Sequence, residues 1–106
     1  MDFAVVLVTT PDADTAARIA RALVEERLAA CGNVVDGVRS IYRWKGEVES
    51  SQEALLILKT RVETFEQLQA RVVELHPYEC PEVLRLDVAG GLPAYLDWLA
   101  SGTAPT

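Results

Sequence analysis

Residues 34–60, VVDGVRSIYRWKGEVESSQEALLILKT, decide the fold. Val34 to Trp44 and Glu47 to Thr60 are rich in β-branched, aromatic and alternating residues, the pattern of two strands. Between them Lys45-Gly46 is a two-residue turn, with glycine supplying positive φ, so the two strands form one long hairpin. Gly37 interrupts the first strand and marks a bulge or a close backbone approach. At roughly 3.3 Å per residue each arm reaches about 35 Å or more, whereas a helix at about 1.5 Å per residue over Asp12 to Ala30 covers under about 30 Å. The hairpin therefore overhangs its helices and carries Ile41, Tyr42 and Trp44 beyond them, with open strand edges that proteins usually cover. A second copy of the chain is the simplest cover.

Upstream, Phe3 to Val8 is a continuous apolar run, the signature of a strand buried on both faces. Thr10-Pro11-Asp12 then starts a helix, with Asp12 and Asp14 at its positive dipole end. Ala16, Ile19, Ala20, Leu23, Val24 and Ala30 form its apolar stripe, and Gly32 is read as its stop. Downstream, Thr60-Arg61-Val62-Glu63 has the form of a capping box opening a second helix. Phe65, Leu68, Val72 and Leu75 make that helix's buried stripe, and Pro77 ends it. Val83 to Val88 reads as the last strand. Gly90-Gly91 and Pro93 lead to a short helix with Tyr95, Trp98 and Leu99 on one side, and the tail 101–106 is expected to be loose.

The order β-α-β-β-α-β plus a terminal helix is that of the α+β ferredoxin-like sandwich, an antiparallel sheet with helices on one face. One domain is expected over residues 1–106, with an ordered core over about 3–100. Sixteen acidic against ten basic residues give a net charge of −6. Such a charge repels nucleic acid and anionic membranes and leans toward cations, although a solvated acidic surface has the same composition. No run approaches the roughly 18 apolar residues of a membrane span, and Asp2 spoils a signal-peptide reading, so a cytoplasmic location is expected. Two cysteines, Cys31 and Cys80, make no disulfide framework, and Cys31 is expected to pack near the first helix's stripe.

Chemistry concentrates in His76-Pro77-Tyr78-Glu79-Cys80-Pro81-Glu82. Its two prolines fix a corner on which an imidazole, two carboxylates, a thiol and a phenol can converge. As a metal site it offers His76, Glu79 and Cys80; as a structural corner, His76 is a helix-end residue favoured by the dipole. Tyr42, Trp44, Lys59, Tyr78 and Glu82 can line an aromatic-walled cleft, or pack an interface. Glu79 and Glu82 can also pair with Arg43, Lys59 or Arg61. There is no glycine-rich phosphate loop, no nucleophile elbow and no Ser-His-Asp set, so no reaction is expected.

Six motifs in register resemble the CutA divalent-cation-tolerance family over about Phe3 to Leu99. They are Val8-Thr9-Thr10-Pro11-Asp12, Glu26-Arg27-Leu28-Ala29-Ala30-Cys31, Ser40-Ile41-Tyr42-Arg43-Trp44-Lys45-Gly46, Leu58-Lys59-Thr60, His76 through Glu82, and Tyr95-Leu96-Asp97-Trp98. The resemblance implies a stable homotrimer similar to the PII signalling trimers, with no required cofactor, no catalysed reaction, a response to metal ion and weak binding of divalent cations, Cu(II) among them. It further implies that members with an assigned copper site carry a cysteine where this chain has Val8, and paired histidines where it has His76 alone. A trimeric module holding a small anionic or amphipathic effector in inter-subunit clefts is the alternative.

Overall fold

The computed structural model describes residues 1–103. Strand β1 (Phe3–Thr10) leads to helix α1 (Ala13–Glu25), then to the hairpin of β2 (Cys31–Trp44) and β3 (Glu47–Arg61). A 3-10 turn (Val62–Thr64), helix α2 (Phe65–Leu75), strand β4 (Leu84–Asp87) and helix α3 (Pro93–Thr103) follow. The sheet order is β2-β3-β1-β4, with every neighbouring pair antiparallel. This is the ferredoxin-like arrangement expected from the element order.

Alternation divides the sheet into two faces. Ala4, Val6 and Val8 of β1 lie opposite Thr60, Leu58 and Leu56 of β3, and all are buried. They meet Ala16, Ile19 and Leu23 of α1 and Leu68 and Val72 of α2, with Phe65 and Leu75 packed beside them. The α2 stripe is as the spacing predicts, and so is that of α1 through Leu23, but Val24 is exposed and Ala30 lies beyond the helix. The other face of β1 is only half-buried at Val5 and Leu7, so the expectation of a strand buried on both sides fails within one chain. Cross-strand partners share a face, which places Leu84, Leu86, Leu55 and Ile57 beside them. Helix α3 departs from the expected placement of helices on one face and meets this second face, with Lys59 Nζ 5.9 Å from the Tyr95 ring centroid and Arg61 bonded to Thr103.

The Lys45-Gly46 turn has φ of 51° and 84° at its two residues, the mirror-image turn whose twist suits a hairpin. Gly37, at φ 73°, sits in a bulge between the Val35↔Leu55 and Val38↔Glu53 pairs. The molecule measures 44 × 25 × 22 Å, its length reflecting the hairpin.

Several boundaries differ from the sequence reading. The Asp12 carboxylate caps α1 by accepting the Thr15 N–H at 2.7 Å, which holds that carboxyl below its ordinary range. The helix ends at Glu25 rather than Ala30, because Arg27 turns left-handed at φ 62° and the Leu28 and Ala29 N–H groups both donate to Leu23 O. Gly32 is not a helix stop; it lies in β2 opposite Leu58, where a Cβ would stand 2.8 Å from that of Ala20. The Thr60 capping box does not form. The Thr60 hydroxyl donates instead to Leu28 O at 2.8 Å, tying β3 to the end of α1. β4 is shorter than expected at both ends.

The tail is not loose through Thr103. That residue is buried in the last turn of α3, bonded by Arg61, while residues 104–106 lie outside the described residues. Cys31 is also displaced from its expected place: it sits in β2 opposite Lys59, on the face away from α1. It is half-buried and Cys80 is exposed, and both are free. Cys31→Ala and Cys80→Ala should each fold, with losses of about 0.5 kcal/mol or less and the larger at Cys31. Urea unfolding of the two single variants checks this, and a loss above about 2 kcal/mol at either position would contradict it.

Candidate functional site

Beyond the bulge, Ser40, Tyr42 and Trp44 of β2 pair with Ser51, Glu49 and Glu47, and so share a face with Glu53. That face is the half-covered one, continuous with Thr9, Leu55 and Ile57. Uninterrupted alternation from Val35 would send Tyr42 and Trp44 to the opposite side. The extra residue at Gly37 is thus what brings the two aromatic side chains onto the face where the 77–82 corner folds down.

The corner is anchored by His76. Its side chain is buried, with Nε2 2.7 Å from Thr9 O and Nδ1 3.1 Å from the Tyr78 backbone N. Thr9 O accepts and Tyr78 N–H donates, so the ring is the neutral tautomer with its proton on Nε2 and its Nδ1 lone pair engaged. From this anchor the Tyr78 ring, 4.6 Å from that of His76, sends its hydroxyl to Glu53 Oε2 at 2.6 Å. Burial and the neighbouring Glu53 carboxylate both push the Tyr78 phenol upward, keeping it a proton donor.

Between corner and hairpin lies an open cavity of about 660 Å³, lined by Thr9, Tyr42, Trp44, Glu53, Tyr78 and Glu82, with Glu79 and Cys80 at the corner. Glu82 has its carboxyl raised, first by burial and then by the charge of Glu53, against an opposing contribution from the Thr9 hydroxyl. A raised carboxyl means that its charge costs stability above the carboxylate range, a cost that vanishes on acidification. A cation in the cavity would offset the same cost.

Of the residues singled out from the sequence, Tyr42, Trp44, Tyr78, Glu79, Cys80 and Glu82 are brought together around the cavity. Two are not. Lys59 reaches toward Tyr95 on α3, and His76 stands behind the wall with both nitrogens engaged. Among the described residues, no group of three or more His, Cys, Asp and Glu side chains is poised to hold a metal ion. Nor do Glu79 and Glu82 pair with Arg43, Lys59 or Arg61. Arg43 donates to Gly46 O, and Arg61 binds Glu63 and Thr103. Glu53, the carboxylate at the centre, went unread in the sequence. Its signal was parity: it shares the strand face of Leu55 and Ile57, where a buried charge needs a partner.

The fold has counterparts among known proteins. A family profile described as CutA1 divalent ion tolerance protein matches residues 4–102. The chain belongs to the CutA1 divalent ion tolerance family. It is 54% identical over 99 residues to the Divalent-cation tolerance protein CutA of Thermus thermophilus, covering 93% of this chain and 96% of that one. A solved structure of the Thermus thermophilus divalent cation tolerance protein (Cut A1) superposes with a TM-score of 0.94 at 53% identity, over 96% of this chain and 99% of the other. A plant relative, the Protein CutA, chloroplastic, of Arabidopsis thaliana, is 44% identical over 93% of this chain, which spans about half of that protein's length. The CutA1 description names a tolerance to divalent ions and no reaction. No helix among the described residues is long and apolar enough to cross a membrane.

Proposed function

We propose that this CutA1-family chain acts as a homotrimer that binds divalent cations weakly, copper among them, as part of a response to metal ion. The observation that carries the assembly is the half-covered sheet face. Val5, Leu7 and Ile57 are half-buried and Leu84 and Leu86 more than half exposed, although the sequence of β1 is that of a strand covered on both sides. The hairpin adds Ile41 at 70% and Trp44 at 47% exposure. Apolar surface on this scale needs a cover, and neighbouring copies supply one in a closed ring. The two unpaired thiols fit a reducing, cytoplasmic setting.

Copper would be held at the cavity's corner by the Cys80 thiolate and Glu79, reinforced by carboxylates of neighbouring subunits. His76 could join only by giving up the Tyr78 N–H. Calorimetry at pH 7.5 should therefore show Cu(II) binding more tightly than Zn(II), following the Irving-Williams order. Cys80→Ala should weaken copper binding at least tenfold, whereas His76→Ala should leave it within about twofold and instead cost about 1–3 kcal/mol of folding stability, the usual penalty for unmade buried hydrogen bonds. If His76→Ala abolishes binding in a folded protein, the imidazole is the ligand and its hydrogen bonds give way to metal. Native mass spectrometry of protein purified without added metal tests the whole reading, with a mass near three times 11.6 kDa expected for the assembly.

The cavity favours a second reading, a trimeric module holding a small effector where the hairpin and the corner meet. Its volume falls within the range of ligand sites, and apolar walls with a few convergent polar groups are their usual lining.

A further inference from the structure

We propose that the cavity between the hairpin and the 77–82 corner binds a small organic ammonium ion, its charge met by Glu53 and Glu82 and its carbons by Trp44, Tyr42 and Tyr78. This rests on the cavity being a ligand site and is independent of copper at Cys80. The first observation is chemical class. The lining carries Glu53, Glu79 and Glu82 and the three aromatic rings, and no lysine, arginine or histidine. An anionic effector would meet the carboxylates of Glu53, Glu79 and Glu82, with Lys59 turned toward Tyr95 and Lys45 outside the lining, its Nζ 5.7 Å from the Trp44 ring centroid.

The second observation is Glu53. It is 8% exposed, and one of its oxygens accepts the Tyr78 hydroxyl. The other accepts no hydrogen bond from the described residues, yet the side chain borders the cavity. That second oxygen is open to the solvent of the cavity, so an ammonium N–H entering there can take the place of water as its donor. Size and geometry then separate an ammonium from a bare metal ion. A space of about 660 Å³ lacks the convergent set of three ligands that a metal ion takes. An alkylammonium needs only a charge partner, hydrogen-bond acceptors and aromatic faces, to which cations are drawn by the ring quadrupole.

The test is calorimetry on the full-length assembled protein with n-butylammonium chloride, sodium butyrate and n-butanol as probes at fixed ionic strength. n-Butylammonium should bind saturably with a dissociation constant on the order of 1 mM, within the efficiency of the best very small ligands. Butyrate and butanol should not bind measurably. Glu82→Gln and, separately, Trp44→Leu should each weaken the ammonium at least tenfold, with an unchanged far-UV spectrum showing that the fold persists. Equal binding of butanol or butyrate would overturn the ammonium assignment while keeping a ligand site. Absence of binding by all three probes would overturn the ligand-site reading as well, and copper binding would then stand or fall on its own titration.

Discussion

Ile57→Glu is expected to break the proposed trimer into single chains. Ile57 sits in the middle of the half-covered face, between Leu7 of β1 and Asn33 of β2, with Leu84 beyond Leu7. Its neighbours Leu56 and Leu58 point the other way into the α1 and α2 core and are fully buried. A carboxylate at position 57 therefore leaves the folding core alone. In an assembled protein it would be an unpaired charge taken out of water, a cost of several kcal/mol in each subunit. Light scattering at micromolar concentration should report one chain mass for Ile57→Glu and three for the parent. Far-UV circular dichroism should keep its helix and strand signal, or show unfolding if the isolated chain cannot stand alone. A variant that holds the mass of the parent would show that this face is not the one that assembles.

The same face shows where the sequence was legible and where it was not. Element order, the Lys45-Gly46 turn and the Gly37 bulge follow from local chemistry, because positive φ and alternation are properties of a few residues at a time. The C-terminal end of α1 was not legible. Ala29 and Ala30 continue a helical spacing, yet the bond from Ala30 N–H to Lys59 O belongs to a strand far away in sequence. Likewise Thr60 matched a capping box but was recruited by Leu28 O, a contact set by tertiary approach. The apolar stretch of β1 was read as doubly covered, and the chain by itself covers one side fully. At the cavity, the aromatic side chains and the corner were visible as residue types. Glu53 was not, because its importance comes from the Tyr78 hydroxyl that reaches it across 25 positions of sequence.

Arg61→Ala should cost about 3 kcal/mol of stability, the largest loss expected from any single polar side chain in this fold. The guanidinium is buried and each of its three nitrogens is engaged: Nε donates to Thr103 Oγ1 at 2.9 Å, Nη2 to Thr103 O at 2.7 Å, and Nη1 meets the Glu63 carboxylate. Glu63 is two-thirds exposed, so losing its partner there returns a carboxylate to water at little cost. The loss comes from Thr103, which is 3% exposed and whose carbonyl would lose its charged donor. A buried acceptor left unsatisfied costs about 1–3 kcal/mol, and hydrogen bonds from charged donors lie at the upper end. The last turn of α3 would lose its tie to β3, and with it the close seat of Gly102 on Ala30, where even a Cβ would approach to 2.8 Å. For a domain of this size about 3 kcal/mol corresponds to roughly 12 °C or more in thermal midpoint, measured at fixed protein concentration because the proposed assembly would make that midpoint concentration-dependent. Arg61→Lys should recover only part of the loss, since one ammonium cannot reproduce the planar fork that spans Thr103 and Glu63. A midpoint for Arg61→Ala within about 2 °C of the parent would show that α3 is held by its apolar contacts alone, with Leu99 rather than Arg61 as its anchor.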